Sequence, residues 1–279
     1  MEKKFSVLMS IYYKEKPEYF TQCMESILNQ TILPDEIVIV KDGPLTKKLN
    51  QVIDKYVSMN PEMYNLVVLP KNLGLGLALA EGIKACSNEL IARMDTDDIS
   101  RNDRFELQIK EFEKNPKLDI CGSHIKEFSK ELNNFTGVRK VPLTDADIKK
   151  YQKRRDGFNH ATVMYRKSKV LSAGNYQDAL LMEDSLLWVN MIQKGARCKN
   201  IDDCLVYVRA NEDMYKRRGG IEYFKKYKAG RRRIRDTGYI SLWDYYYTLI
   251  IQFVVAVAPQ GIRKIIFTKL LRGKMEDKK

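Results

Sequence analysis

Short apolar runs alternate with helical spacings along the first 118 residues. FSVLMSI (5–11), EIVIV (36–40), NLVVLP (65–70) and ELIARMD (89–95) have the length and continuous apolar character of buried strands. Between them, helical patterns are predicted over residues 17–30, 46–58, 75–86 and 104–115. Such alternation predicts βαβ units, right-handed crossovers and a mostly parallel, Rossmann-like sheet, with ligands at the carboxyl ends of the strands.

The rhythm changes after Leu118. Residues 119–129 read as a strand, 145–155 as a basic helix and 159–165 as a second strand. Residues 182–195 carry Leu186, Leu187, Val189, Met191 and Ile192 at helical spacing, with Gly195 suited to the C-terminal cap. No internal repeat or low-complexity segment interrupts the chain.

Two further segments close the sequence. Residues 242–259 form an aromatic and aliphatic run, too short and too interrupted by Asp244 and Gln252 to span a bilayer. Residues 261–274 set Ile262, Ile265, Ile266, Phe267, Leu270 and Leu271 against four basic residues, the pattern of an interfacial helix. At the other end, Phe5–Tyr13 superficially resembles a signal peptide, but it is short, lacks a small-residue cleavage site and is followed by Lys14-Glu15-Lys16. It is read as the first strand.

Charge sharpens this division. The 279 residues carry a formal charge of +13, yet residues 209–279 alone hold 18 Lys/Arg against 7 Asp/Glu. The body is nearly neutral, which argues against a uniformly nucleic-acid-binding domain. Basic clusters beside apolar helices point to anionic membrane lipid. The alternative is a helical pair packed on the domain or on a partner. The expected division is a catalytic domain over residues 1–230 and a helical, membrane-associated extension over 231–279. Five cysteines without C-x-x-C spacing argue against a disulfide framework or zinc cluster and favour a reducing compartment.

The strongest chemical signal is Asp95-Thr96-Asp97-Asp98 at the end of the fourth strand. Three carboxylates in four residues repel one another unless a cation compensates, and hard oxygen ligands suit Mg²⁺ or Mn²⁺. The competing reading is a helix N-cap, which accounts for one aspartate and not three. Asp42, in the turn sequence Asp-Gly-Pro, ends the second strand on the same sheet edge. Gly74-x-Gly76 opens a helix after the third strand, but Leu79 replaces the third glycine of a dinucleotide fingerprint. A P-loop is missing. Glu183 and Asp184 have the bland reading of acids at a helix N-terminus.

In order, SVLMSIYY, SILNQT, IVIVKDGP, NLGLGLALAEGI, RMDTDDIS and LMEDSLLW resemble the family 2 glycosyltransferases of GT-A fold, over residues 5–188. The similarity is greatest to the non-processive enzymes of bacterial capsule and exopolysaccharide synthesis. The resemblance implies an inverting hexosyl or N-acetylhexosaminyl transfer from a nucleotide-diphosphate sugar, with a UDP-sugar the expected donor and Mn²⁺ or Mg²⁺ as cofactor. It implies a polyprenyl-diphosphate-linked glycan as acceptor and a peripheral location on the inner face of the cell membrane.

Residue by residue, the resemblance places Ser10 and Tyr12 around the nucleoside and Asp42 on the uracil. Asn72 and Gly74 fall on the diphosphate side. Asp95 and Asp97 fall at the D-x-D motif of ribose and metal, and Asp184 at the catalytic base, with Glu183 the alternative base if the helix is turned. His160 and Trp188, with Arg217 and Arg218 of the basic run, are placed on the acceptor side; core packing is the alternative for Trp188. Two departures stand out: Lys41 and Pro44 replace the first acid and the serine of the family's D-D-G-S. The Q-x-x-R-W motif of processive enzymes is missing, so one sugar per binding event is expected. The rival enzyme class, a sugar-phosphate nucleotidyltransferase, would need a glycine-rich basic loop after the first strand, and residues 12–18 offer none.

Overall fold

A computed structural model describes residues 4–129, 131–210, 219–259 and 261. The chain begins with β1 (Phe5–Ile11), α1 (Pro17–Leu28), β2 (Glu36–Lys41), α2 (Lys47–Met59), β3 (Tyr64–Val68), α3 (Leu75–Ala85) and β4 (Leu90–Arg93). Next come β5 (Ile99–Ser100), α4 (Arg104–Lys114), β6 (Ile120–Phe128), β7 (Phe135–Arg139), α5 (Asp145–Gln152), β8 (Met164–Arg166) and α6 (Lys167–Ser172). After α7 (Glu183–Gln193) and β9 (Cys198–Arg209) come α8 (Ile221–Asp236) and α9 (Leu242–Val257).

One sheet runs β3-β2-β1-β4-β8-β6-β9-β5, with β7 paired to β6. The first four strands are parallel, as the alternating pattern predicts. The expectation of a mostly parallel sheet fails beyond β4. There β8 runs antiparallel to both β4 and β6, β7 antiparallel to β6, and β5 antiparallel to β9. The sheet is therefore mixed: β6 and β9 are parallel, with α5, α6 and α7 between them in the chain, whereas β6 and β7 are close in sequence and pair antiparallel.

Period-two alternation divides the core. Phe5, Val7 and Met9 of β1 face α1, α2 and α4, with Phe20, Ile53 and Phe105 among their partners. Leu8, Val38 and Val40 face the other side, where Leu79 and Ile83 of α3 and Trp188 of α7 pack. All these side chains are fully buried.

The expected strand over 159–165 begins late. His160–Thr162 is a turn of 3₁₀ helix, and the strand is Met164–Arg166. The Thr162 hydroxyl donates to the Asn159 carbonyl (2.8 Å), and the Asn159 amide donates to the Ser123 carbonyl (2.8 Å). These local bonds compete with the sheet ladder.

The expected boundary at residue 230 lies within α8. Ile234 of α8 and Tyr245 and Leu249 of α9 pack with Leu186 and Val189 of α7. Asp244, which interrupts the apolar run in sequence, completes a capping box with Ser241 and pairs with Arg154 (2.6 Å). The amphipathic segment beginning at Gly261 lies almost wholly outside the described residues. Among the described residues, no helix is long and apolar enough to cross a membrane.

Candidate active site

The strand order changes direction between β1 and β4, and such a switch point opens a crevice at the strands' carboxyl ends. Tyr12 follows β1 there, 37% exposed, and the acidic run 95–98 follows β4. Ser10 lies on β1 opposite Val40 of β2.

Asp42, Asn72 and Gly74 are joined to one another. The Asp42 carboxylate accepts the main-chain N–H groups of Leu73 (2.7 Å) and Gly74 (3.1 Å), and the Asn72 amide donates to the Asp42 carbonyl (3.2 Å). Asp42 is buried, and its own N–H donates to the Ile11 carbonyl (2.8 Å). This acid therefore braces the turn that leads into α3.

Gly74 starts that helix at φ +87°, a conformation that favours glycine. Gly76 has a different requirement: a Cβ there would lie 2.6 Å from the Gln177 carbonyl oxygen and 2.9 Å from Cβ of Glu183. The start of α3 is thus pressed against the start of α7. Gly76→Ala is expected to cost about 1–3 kcal/mol by overpacking and to lower activity by displacing Glu183. Paired denaturant midpoints and transfer rates check this; if both are unchanged, the close approach does not matter.

Two groups of carboxylates meet around Arg93, which is 1% exposed. The first follows β4. The Arg93 guanidinium grips Asp95 through both terminal nitrogens. Burial, then repulsion from Asp95 and Glu15, pushes Asp97 up to about 7. Burial, then Asp97 and Asp95, raises Asp98 well above the usual carboxylate range. Glu15 accepts the Thr96 hydroxyl (2.6 Å), and the Arg209 N–H donates to the Asp98 carboxylate (2.9 Å).

The second group is at the start of α7. Burial, then Asp156 and Glu183, pushes Asp184 up to about 8, and burial likewise raises Glu183. The Asp184 carboxylate accepts the Ser185 N–H (2.7 Å), and the Ser185 hydroxyl bonds Asp156. His160 Nδ1 lies 4.0 Å from Asp184, too far for a hydrogen bond, while its Nε2 bonds the Tyr176 hydroxyl (2.8 Å). Burial, then Arg93, holds His160 well below its usual pKa, so it is neutral. Arg93 lowers the carboxyl pKa in both groups, and Asp95 raises that of Glu183, so the groups share one electrostatic site.

Among the described residues, no three His, Cys, Asp or Glu side chains converge as metal ligands. Asp95 and Asp97 supply hard oxygens next to a repulsion that Arg93 offsets only in part. That donor set fits a divalent cation held by one or two carboxylates and completed by substrate phosphates.

The expectation of Trp188 as a sugar platform is corrected. Its ring is fully buried against Phe158, His160, Tyr165 and Tyr176 at centroid distances of 5.5–6.5 Å. A ring without accessible surface cannot stack on a sugar. Arg217 and Arg218 lie outside the described residues.

Sequence reasoning missed Arg93, Glu15, Asp156, Tyr176 and Arg209. Arg93 was the one within reach: it stands two residues before Asp95, the spacing of one face in the strand predicted over 89–95. The others arrive from distant segments.

The family described as Glycosyl transferase family 2 matches residues 6–172. The amylovoran biosynthesis glycosyltransferase AmsE of Erwinia amylovora is 38% identical over 273 residues, covering 96% of this chain and 100% of that protein. An Escherichia coli UDP-Gal:alpha-D-GlcNAc-diphosphoundecaprenol beta-1,3-galactosyltransferase is 35% identical over 272 residues, covering 96% of this chain and 97% of that one. The crystal structure of S. aureus TarS 1-349 in complex with UDP-GlcNAc superimposes with a TM-score of 0.62 at 17% identity, covering 96% of this chain and 71% of that one. This last likeness shows a GT-A-like fold. With its family match and these relatives, the chain belongs to glycosyl transferase family 2 and is a glycosyltransferase.

Proposed function

We propose that this glycosyltransferase moves one hexosyl or N-acetylhexosaminyl unit, with inversion, from a UDP-sugar to a polyprenyl-diphosphate-linked glycan in polysaccharide synthesis. The observation that carries the reading is the pair of carboxylate groups around Arg93, one at the end of β4 and one at the start of α7. The named activity of the E. coli relative and the UDP-GlcNAc bound to TarS support the donor and acceptor classes.

Inversion needs one displacement at the anomeric carbon. Asp184, its side chain 22% exposed, accepts the proton of the acceptor hydroxyl as that oxygen bonds to the carbon. The bond to the nucleotide diphosphate breaks on the opposite face, and its electron pair leaves with the phosphate. Asp97 and Asp95 hold the divalent cation, which supplies charge neutralisation for the leaving diphosphate when bound. Arg93 orients Asp95 and offsets part of the cluster's negative charge. Tyr12 offers its ring to the base, and Asp42 keeps the turn of Asn72 and Gly74 against the phosphates.

Nucleotide release with a panel of UDP-, GDP- and dTDP-sugars tests this reading. Turnover is expected with UDP-sugars, to be lost with chelator, restored by Mn²⁺ or Mg²⁺, and lowered by about 10² or more in Asp97→Asn. Activity indifferent to chelator and to Asp97→Asn would remove the metal role.

The reading extends to the inner face of the cell membrane. Leu242, Trp243, Ile250 and Val254 of α9 are 54–69% exposed, an apolar stripe beside basic α8. The double variant Ile250→Glu/Val254→Glu is expected to float poorly with anionic vesicles, and wild-type flotation to weaken with salt. Equal flotation of the two proteins would count against this placement.

A further inference from the structure

The helical pair does more than cap α7. Between it and the α5 region lies a cavity of about 870 Å³, within the range of small-molecule sites. Lys150, Lys153, Arg154 and Arg155 line one side, and Tyr247, Ile251 and Val255 of α9 line the other. From this we infer that the cavity seats the acceptor's lipid diphosphate, with the phosphates on the basic side and the first isoprenoid units along α9. The inference rests on the acceptor proposed above and names its subsite.

Charge selects the ligand. Lys150, Lys153 and Arg155 are exposed and form no ion pair among the described residues. Arg154 is placed by Asp244 (2.6 Å) and lies 4.6 Å over the Tyr247 ring. Two acids share the lining: Asp244 is paired with Arg154, and Asp147 accepts the Thr144 hydroxyl (2.7 Å). The surplus of cations suits a dianion or trianion, for which guanidinium and ammonium groups are the strong partners.

Position selects it too. Buried Arg231 of α8 donates to the Lys153 carbonyl (2.8 Å) and fixes the basic segment. The residue after Arg155 is Asp156, which bonds Ser185 next to the proposed base Asp184. The basic segment therefore runs from the cavity to the support of the proposed base. In the other direction, Tyr247 and Ile251 continue into the exposed apolar face of α9, along which a polyprenyl chain can leave for the bilayer. A phospholipid headgroup would use the outer face of α9 without any need for proximity to Asp184.

Calorimetric binding of geranylgeranyl diphosphate to the full chain tests the site. The wild type is expected to bind it, and to bind inorganic pyrophosphate and geranylgeraniol far more weakly. Lys150→Ala/Lys153→Ala/Arg155→Ala, which removes no structural ion pair, is expected to weaken binding by about tenfold or more. Ile251→Asp is expected to do the same, with flotation on phosphatidylglycerol vesicles unchanged in the triple variant. Binding undiminished in the triple variant, or lost in parallel with flotation, would overturn the inference. A transfer assay separates the premise from the site. If the wild type glycosylates a GlcNAc-diphosphate-lipid and the triple variant keeps the same acceptor KM, the subsite is wrong. If the wild type transfers no sugar to that acceptor, the acceptor reading fails and takes this inference with it.

Discussion

Asp184→Asn is expected to lower the rate of transfer by about 10²–10⁴, the range for removing a general base, with donor KM little changed. The asparagine keeps the shape and the Ser185 contact but cannot take a proton from the acceptor hydroxyl. Glu183→Gln is the control. Glu183 packs against Gly76 and shares the same charge environment, so it is expected to matter less than Asp184. Full activity in Asp184→Asn together with loss in Glu183→Gln would move the base by one residue.

The same assignment dictates a pH dependence. Asp184 titrates at about 8 because burial and then Asp156 and Glu183 disfavour its charged form. The base works only when ionised, so kcat/KM for the wild type is expected to climb as pH rises through about 8 and then level off. An acidic limb in the ordinary aspartate range would show that another group carries the proton.

Trp188→Ala is expected to cost about 3–5 kcal/mol of stability, read from the denaturant midpoint. The ring is fully buried where β8, α7 and the His160 turn meet, and deleting it leaves a cavity at the support of the proposed base. Trp188→Phe distinguishes packing from sugar binding. The indole N–H is buried with no hydrogen-bond partner among the described residues, so phenylalanine surrenders volume and none of the described hydrogen bonds. It is expected to keep most of the stability and the acceptor KM. A stable Trp188→Ala with a raised acceptor KM would restore the stacking role.

The first half of the fold was legible in the sequence because each strand there is a continuous apolar run and each helix a clear 3.6-residue pattern. That regularity placed Asp42 and Asp95 on one sheet edge and set Gly74 before α3. Beyond Leu118 the strands are decided by pairing across the sheet. The long β9, with exposed Asp202 and Asp203 and buried Leu205 and Val206, follows no single period. The 3₁₀ turn at His160 is set by side-chain bonds from Asn159 and Thr162 that no local pattern announces.

The site was half legible. The acidic motif and the pair Glu183-Asp184 were visible as charge at strand and helix ends. Arg93, which lies between them, reads in sequence as one basic residue in an apolar strand, although burial without a counter-charge would be prohibitive. Trp188 was misplaced because helical spacing puts it on the side of Asp184, whereas its size sends it into the core. Asp244 looked like a flaw in an apolar run and is a helix cap.

The most direct test of the account is the anomeric configuration of the product. The wild-type protein, Mn²⁺, a UDP-α-linked sugar and a GlcNAc-diphosphate-lipid acceptor are combined, and the new linkage is read by NMR. A single displacement with Asp184 as base predicts a β-linked disaccharide, with one UDP released per sugar transferred. An α-linked product, or UDP release without transfer to that acceptor, would contradict it.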